Sequence, residues 1–285
     1  MHFHEPTSLD DAVALLAAEG ARCLAGGASL VPQMKAGTVR PQRLVSLRRI
    51  AGLNAITVAA DGAVSIGAMA THACVAACDR LTGGNAVVRE AAAQIAHPAI
   101  RTMGTMGGAL AFAEPSADYP CAVMAADASV VARGPQGRRV VPVDAFFVGA
   151  MATALLPGEV VEALSLPPAG PDEVGAYLKF SRVDGDFATA CVAVRLAFGD
   201  GAVTAVRVAV GGCAPVPFRV PTAEAALVGS PPDPAAVARL GAAYAEAADP
   251  PSDFRGSADF RRMILPGLIA RAVARASAKR AGGDR

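Results

Sequence analysis

The sequence predicts an α+β protein in which antiparallel hairpins are interleaved with short helices and the chain ends in helices. Three observations predict it. Residues 56–66 and 190–210 alternate with period two across tight turns. Two small-residue loops, Ala25-Gly26-Gly27-Ala28-Ser29 and Thr105-Met106-Gly107-Gly108-Ala109, are each bordered by apolar segments. Residues 233–279 carry helix start signals and apolar residues at helical spacing.

Taken in order, Ser8 with Asp10 and Asp11 reads as an N-cap and acidic first turn, opening an amphipathic helix through Val13, Leu15 and Leu16 to a stop at Gly20. His2 and His4 precede it in a flexible start, as bystanders. Residues 22–25 read as a short strand and 29–35 as a helical turn. Strand, glycine loop, helix is the order a phosphate site prefers, and also that of many plain βα connections. Ile56–Val58 and residues 64–66 flank an Asp61-Gly62 turn as a hairpin. Residues 71–80 and 85–95 read as helices, the second ending near His97-Pro98, because the residue before proline disfavours the α region. Asp118–Ala125 reads as a helix, residues 129–132 and 138–143 as a hairpin around Pro135-Gln136-Gly137, and residues 159–166 as a strand.

Proline and glycine at 167–172 mark a boundary. Beyond it Val192, Val194, Leu196 and Phe198 share one strand face, the chain turns at Gly199-Asp200-Gly201, and Val206, Val208 and Val210 return antiparallel. Asp233-Pro234 reads as N-cap and first helical residue. Residues 257–279 repeat apolar side chains at Phe260, Ile264, Leu268 and Ala272, with Pro266 predicting a kink or break, and residues 281–285 are expected to fray.

At 285 residues the chain suffices for one large domain or two to three compact ones. Lys+Arg at 26 against Asp+Glu at 25 leaves a net charge of +1, which excludes a nucleic-acid surface. No uncharged run reaches the roughly 18 residues of a membrane span, and the N-terminus lacks signal-peptide character, so a soluble, cytoplasmic protein is expected. Cys23, Cys74, Cys78, Cys121, Cys191 and Cys213 show no disulfide-framework spacing and read as buried thiols. Cys74 and Cys78, four apart in an expected helix, lack the further ligands of a zinc or iron–sulfur site; no metal site is expected.

The glycine loops carry the chemistry. Gly107 and Gly108 can take positive φ and let a ligand approach the main chain. Successive N–H groups in such a turn form an anion-binding concavity, to which Thr105 and Ser29 add hydroxyls. A single Gly-Gly pair also serves as an ordinary turn; two such loops can hold a dinucleotide pyrophosphate between them.

On these residues the chain resembles the FAD-binding medium subunit of the molybdenum hydroxylase family, which includes carbon monoxide dehydrogenase and xanthine dehydrogenase. The similarity runs over nearly the whole chain. It rests on Ala25 to Leu30 with Met34-Lys35, on Ile100-Arg101-x-x-Gly104-Thr105-x-Gly107-Gly108 followed by Glu114-Pro115 and Asp118, and more weakly on residues 176–190 and Phe260-Arg261-Arg262. It implies a two-subdomain FAD-binding region of the PCMH type over residues 1–170, with subdomains of about 1–52 and 53–170. Residues 171–285 would form the flavoprotein C-terminal domain, an antiparallel sheet packed on helices.

The resemblance further implies FAD clamped by both loops. Its pyrophosphate would lie on backbone amides of Ala25, Gly26, Gly27, Ala28, Ser29 and Leu30, with Val31 adjoining, and of Thr105, Met106, Gly107, Gly108 and Ala109. Asp118 matches a carboxylate on the ribityl or isoalloxazine side, Lys179 a lysine near the ring, Val161 an apolar neighbour and Phe187 an aromatic shield. Read alone, Asp118 also serves as a helix cap, Lys179 as a solvated strand residue and Phe187 as core. The chain departs from the family at Ala28, Ala109, Phe112 and Glu114, while His97 is expected to make a local hydrogen bond rather than attach flavin. Gly107→Val is expected to block the phosphate's approach and abolish FAD retention in a folded chain.

The implied role is an electron-transfer subunit with no catalytic side chain of its own. Substrate would be oxidised on a large molybdenum-cofactor subunit, and [2Fe-2S] clusters on a small subunit would pass electrons to FAD here and on to an external acceptor. A stand-alone flavin oxidoreductase and a flavin-free binding or assembly protein on the same fold remain alternatives.

Overall fold

The computed structural model describes residues 1–282. Its first unit is β1 (His2–His4), α1 (Leu9–Leu16), β2 (Ala21–Leu24), α2 (Leu30–Lys35) and β3 (Arg43–Ser46). Both outer strands run parallel to β3, in the order β1-β3-β2. The expected flexible start is thus a strand: the His2 N–H donates to Gln42 O at 2.8 Å, and Phe3 pairs with Leu44. Without it one edge of β3 would present unpaired backbone groups. The α1 cap is as expected, Ser8 Oγ accepting from the Asp11 N–H at 3.1 Å.

Next come β4 (Ile56–Val58), β5 (Val64–Gly67), α3 (His72–Ala76), α4 (Ala86–Gln94), α5 (Pro98–Arg101), α6 (Met106–Phe112), α7 (Asp118–Ala125), β6 (Ser129–Gly134), β7 (Gly137–Pro142), β8 (Phe147–Gly149), β9 (Ala152–Thr153) and β10 (Val160–Leu166). Both expected hairpins are present, joined by β10 into a five-stranded antiparallel sheet of order β4-β5-β10-β6-β7. The helix expected over 71–80 is only α3, because the chain turns after it to bury Cys78 and Leu81. Cys74 is exposed and Cys78 buried, so the two do not share a helix. Cys23 is half-buried; burial of all six thiols therefore fails at Cys23 and Cys74.

The last unit is β11 (Glu173–Phe180), β12 (Ala190–Gly199), β13 (Ala202–Gly211), α8 (Pro221–Ala225), α9 (Pro234–Ala247) and α10 (Ala258–Gly282). The sheet β11-β12-β13 lies between two helical layers. Val192, Val194, Leu196, Val208 and Val210 pack with Leu240, Leu265 and Leu268 of α9 and α10. The opposite face, Cys191, Ala193 and Ala209, joins the core that contains α7. Small residues permit that close approach, and a Cβ on Gly211 would stand 2.8 Å from Cys191 Sγ and 3.1 Å from Cys121 Cβ. Arg261 of α10 is wholly buried and donates to Thr189 O at 2.5 Å and Gly212 O at 2.7 Å, tying the helix to two strand ends.

Of the kink or break expected at Pro266, the break does not occur, since α10 continues through it. The proline lies against Gly241 of α9, where a Cβ would stand 2.8 Å from Pro266 Cα, so tertiary packing holds the helix across the missing N–H. The fray expected over 281–285 falls largely outside the described residues. No helix among the described residues is long and apolar enough to cross a membrane. Gly241→Val should separate α9 from α10 and destabilise the protein by roughly 2–3 kcal/mol, measured by urea denaturation, through overpacking against backbone.

Candidate functional site

The two glycine loops meet backbone to backbone. A Cβ on Gly26 would overlap the Met103 carbonyl, and one on Gly108 would stand 3.4 Å from Ala25 Cβ. Gly27 follows at φ +80°, a conformation that L side chains strain to adopt. The turn carries the chain from β2 into α2, while Thr105 caps α6, its Oγ1 accepting from the Gly108 N–H at 3.2 Å. Together they wall a cavity of about 450 Å³. Residues 25–30, Thr105, residues 107–109 and Val161 line it, bringing together eleven of the sequence-derived positions from three separate segments.

The loops differ in what they offer a ligand. The amides of Gly27, Ala28, Ser29 and Leu30 have no acceptor among the described residues, nor does that of Thr105. Those of Met106 and Gly107 donate to Ala70 O and Ala68 O at 2.9 and 2.8 Å, and that of Ala109 to Thr105 O at 3.0 Å. Most of the second loop's expected phosphate donors are therefore spent on Ala68 and Ala70, which follow β5, and on the α6 cap. Neither Gly107 nor Gly108 has positive φ. Gly107 faces Ala68, whose Cβ would lie 2.5 Å from an added Cβ. Valine at 107 would disrupt the seat of α6 on Ala68, just after β5, before it obstructed a phosphate, so the folded chain expected of that variant does not follow from this packing.

Five other positions lie outside the lining. Met106 is fully buried in the core, and Val31 packs beside Gly27. Asp118 and Lys179 form a buried ion pair at 3.0 Å, with the side chains 4% and 5% exposed. The Tyr177 hydroxyl donates to Asp118 Oδ1 at 2.7 Å, and Lys179 Nζ also donates to Gln94 O at 2.6 Å and Asp186 O at 3.1 Å. Burial raises the Asp118 carboxyl above its ordinary value against the pull of Lys179 and Tyr177. Asp118 thus makes no helix cap, since Ala117 holds that position, and Lys179 is not solvated. Phe187 is 40% exposed, so it is not core; the Arg255 guanidinium lies 5.4 Å from its ring centre and 4.4 Å from that of Phe254. His97 makes no side-chain hydrogen bond among the described residues, its ring lying under Gly185 instead.

Sequence reasoning missed several lining residues, among them Arg22, Gln33, His72 and Glu159. Glu159 is fixed by Arg139, which donates to both carboxylate oxygens at 2.7 Å, and that partner holds its carboxyl below the usual value. Glu159 accepts from the Leu156 N–H at 2.7 Å as well. Arg22, exposed at the cavity, has no carboxylate partner among the described residues. Only tertiary structure brings these side chains beside the loops.

Free amides, a glycine cradle that Cβ atoms would fill and a cation suit an extended anionic ligand with an apolar body. Residues 1–169 match the family described as the FAD binding domain in molybdopterin dehydrogenase, and residues 175–276 the CO dehydrogenase flavoprotein C-terminal domain. The chain therefore belongs to the FAD-binding flavoproteins of the molybdopterin dehydrogenases. It is 37% identical to the carbon monoxide dehydrogenase medium chain of Afipia carboxidovorans over 97% of this chain and 96% of that one. It is 33% identical to the nicotine 6-hydroxylase medium subunit of Paenarthrobacter nicotinovorans over 98% of each. Among solved structures, carbon monoxide dehydrogenase from Hydrogenophaga pseudoflava superposes with a TM-score of 0.94 at 36% identity, covering 98% of both chains. Quinoline 2-oxidoreductase from Pseudomonas putida 86 gives 0.92 at 29%, again covering 98% of both.

FAD fits the residues present: unpaired amides of the first loop suit its pyrophosphate, and the apolar walls suit its rings. Gly26→Ala should force the loops apart and weaken FAD binding by at least about tenfold, while Gly108→Ala, meeting only side-chain atoms, should cost less; titration of FAD into both variants checks the order. Burial and the nearby Arg101 lower His72 from 6.5 to about 4. Between those values the unfolded chain takes up a proton that the fold refuses, so stability falls as pH drops, by about 3 kcal/mol across the window. Urea titrations at stepped pH should show this slope, and His72→Gln should flatten it.

Proposed function

We propose that this chain is the FAD-carrying electron-transfer subunit of a molybdenum-dependent dehydrogenase complex. One observation carries the reading: both glycine loops converge on a single cavity in a chain that matches medium subunits end to end. Curated relatives over at least 93% of this chain are named for carbon monoxide, nicotine, glyceraldehyde and xanthine. Such different substrates on one shared flavoprotein argue that substrate choice lies on another subunit. A large molybdenum-cofactor subunit and a small subunit with [2Fe-2S] clusters are the partners this division requires. Bound FAD supplies the exchange between single-electron and two-electron carriers.

The chain's own part is to hold and shape. The first loop would bind phosphate through the amides of residues 27–30, Arg22 would add charge, and the Arg139–Glu159 pair would stiffen the wall preceding Val161. The Lys179–Asp118 pair would anchor the segment bearing Phe187 through Asp186 O. In this reading residues 1–170, divided near 52, form the FAD-binding part, and 171–285 the C-terminal part; the meeting of the two family matches between 169 and 175 supports the outer division. Free cysteines throughout suit a reducing cytoplasmic setting.

The natively expressed chain should carry about one FAD, read from its visible spectrum and from the flavin released on denaturation, and should copurify with molybdenum and iron. Flavin without those partners would favour a stand-alone oxidoreductase. A colourless chain that takes up no added FAD would favour the binding or assembly alternative.

A further inference from the structure

His72 is a polar side chain in the cavity wall whose place is not explained by loop geometry. It opens α3 and is 5% exposed. Its main-chain N–H donates to Gly104 O at 3.0 Å, and its ring lies against the same glycine, where a Cβ would stand 2.5 Å from Nε2. The Met103–Gly104 peptide in turn meets Gly26. Imidazole, second loop and first loop are therefore stacked in succession.

The other face of the ring meets Tyr119. Nδ1 lies 3.3 Å from the Tyr119 hydroxyl, with the rings edge to face at 5.3 Å. Tyr119 is fully buried, and its hydroxyl has no other partner among the described residues. A buried phenol places its one proton on an acceptor, and Nδ1 is the acceptor within reach. Tyr119 therefore donates, Nδ1 accepts, and the proton of the ring sits on Nε2. Burial and Arg101 keep the imidazole neutral near pH 7. Nε2 has no protein partner among the described residues, yet it is not sealed from solvent. His72 lines the cavity, and the Nε2 edge of its ring is the one that lies against Gly104, itself a lining residue beside the glycine loops.

We infer that the His72 Nε2–H donates a hydrogen bond to an oxygen of the dinucleotide held in this cavity, with Tyr119 as the positioning residue that sets the tautomer. The inference rests on the FAD reading above. A neutral donor suits the place, because it satisfies a ligand oxygen without the cost of burying an imidazolium.

The test is FAD titration into the wild-type chain and the variants His72→Phe and His72→Gln, followed by flavin fluorescence. Phenylalanine keeps the ring's bulk and removes the donor, so affinity should fall about tenfold; glutamine places an amide N–H near Nε2 and should recover most of it. Tyr119→Phe should release the tautomer and weaken binding by a smaller factor. Equal affinity of His72→Phe and wild type would overturn the inference while leaving the FAD reading intact, whereas a wild type that binds no FAD would overturn that reading itself. Should His72→Phe not fold, 15N spectra of the wild-type imidazole decide. A protonated Nε2 whose resonance moves on FAD addition supports the inference, and a protonated Nδ1 or an unmoved Nε2 resonance overturns it.

Discussion

The contact on which the rest depends is the closure of Gly26 onto the Met103–Gly104 peptide. Two loops nearly eighty residues apart in sequence touch without a side chain between them, which fixes their separation by backbone van der Waals radii. Everything around the cavity follows from that spacing. Gly108 rests near Ala25, the His72 ring packs on Gly104, and the first loop, with its free amides, lines one cavity with the second. A pair of loops joined through side chains would yield with rotamers; this one cannot.

A second constraint explains why the two loops are unlike in use. The second loop is stitched to the segment that follows β5 through the carbonyls of Ala68 and Ala70, which makes it a rigid support. The first is left with unsatisfied donors, as an anion-binding turn must be. Rigidity and availability are thus divided between two segments that resemble one another as strings of small residues. The tight seat of Gly107 on Ala68 belongs to the support, which is why a substitution there reports on folding and not on ligand approach.

What was legible in the sequence was local. The Ser8 and Asp233 caps, the Asp61-Gly62 hairpin, α7 and the β12–β13 pair each announce themselves within a few residues, and each is present. The strands β1 and β3 were not legible, because a short parallel strand draws its pairing from distant chain. The same holds at the site. Eleven lining residues were readable from glycine patterning and family resemblance, but whether an amide is free depends on carbonyls some forty residues away. The burial of Lys179 with Asp118, and the contact of Tyr119 with the His72 ring, are products of tertiary packing that composition does not encode.

The two-faced burial of the C-terminal sheet has a consequence for inheritance. Tyr177, Cys191, Ala193 and Ala209 belong to the same core as α7 and β5, so the C-terminal sheet, besides the core it shares with α9 and α10, completes the interior of the first part of the chain. Recombination that replaced one half with a distant counterpart would bring together small-residue faces not shaped for one another. A change of side-chain volume on the Ala193 and Ala209 face is thereby felt in α7, and one in α7 is felt in the sheet, so the two parts of the chain tolerate substitution there only in step.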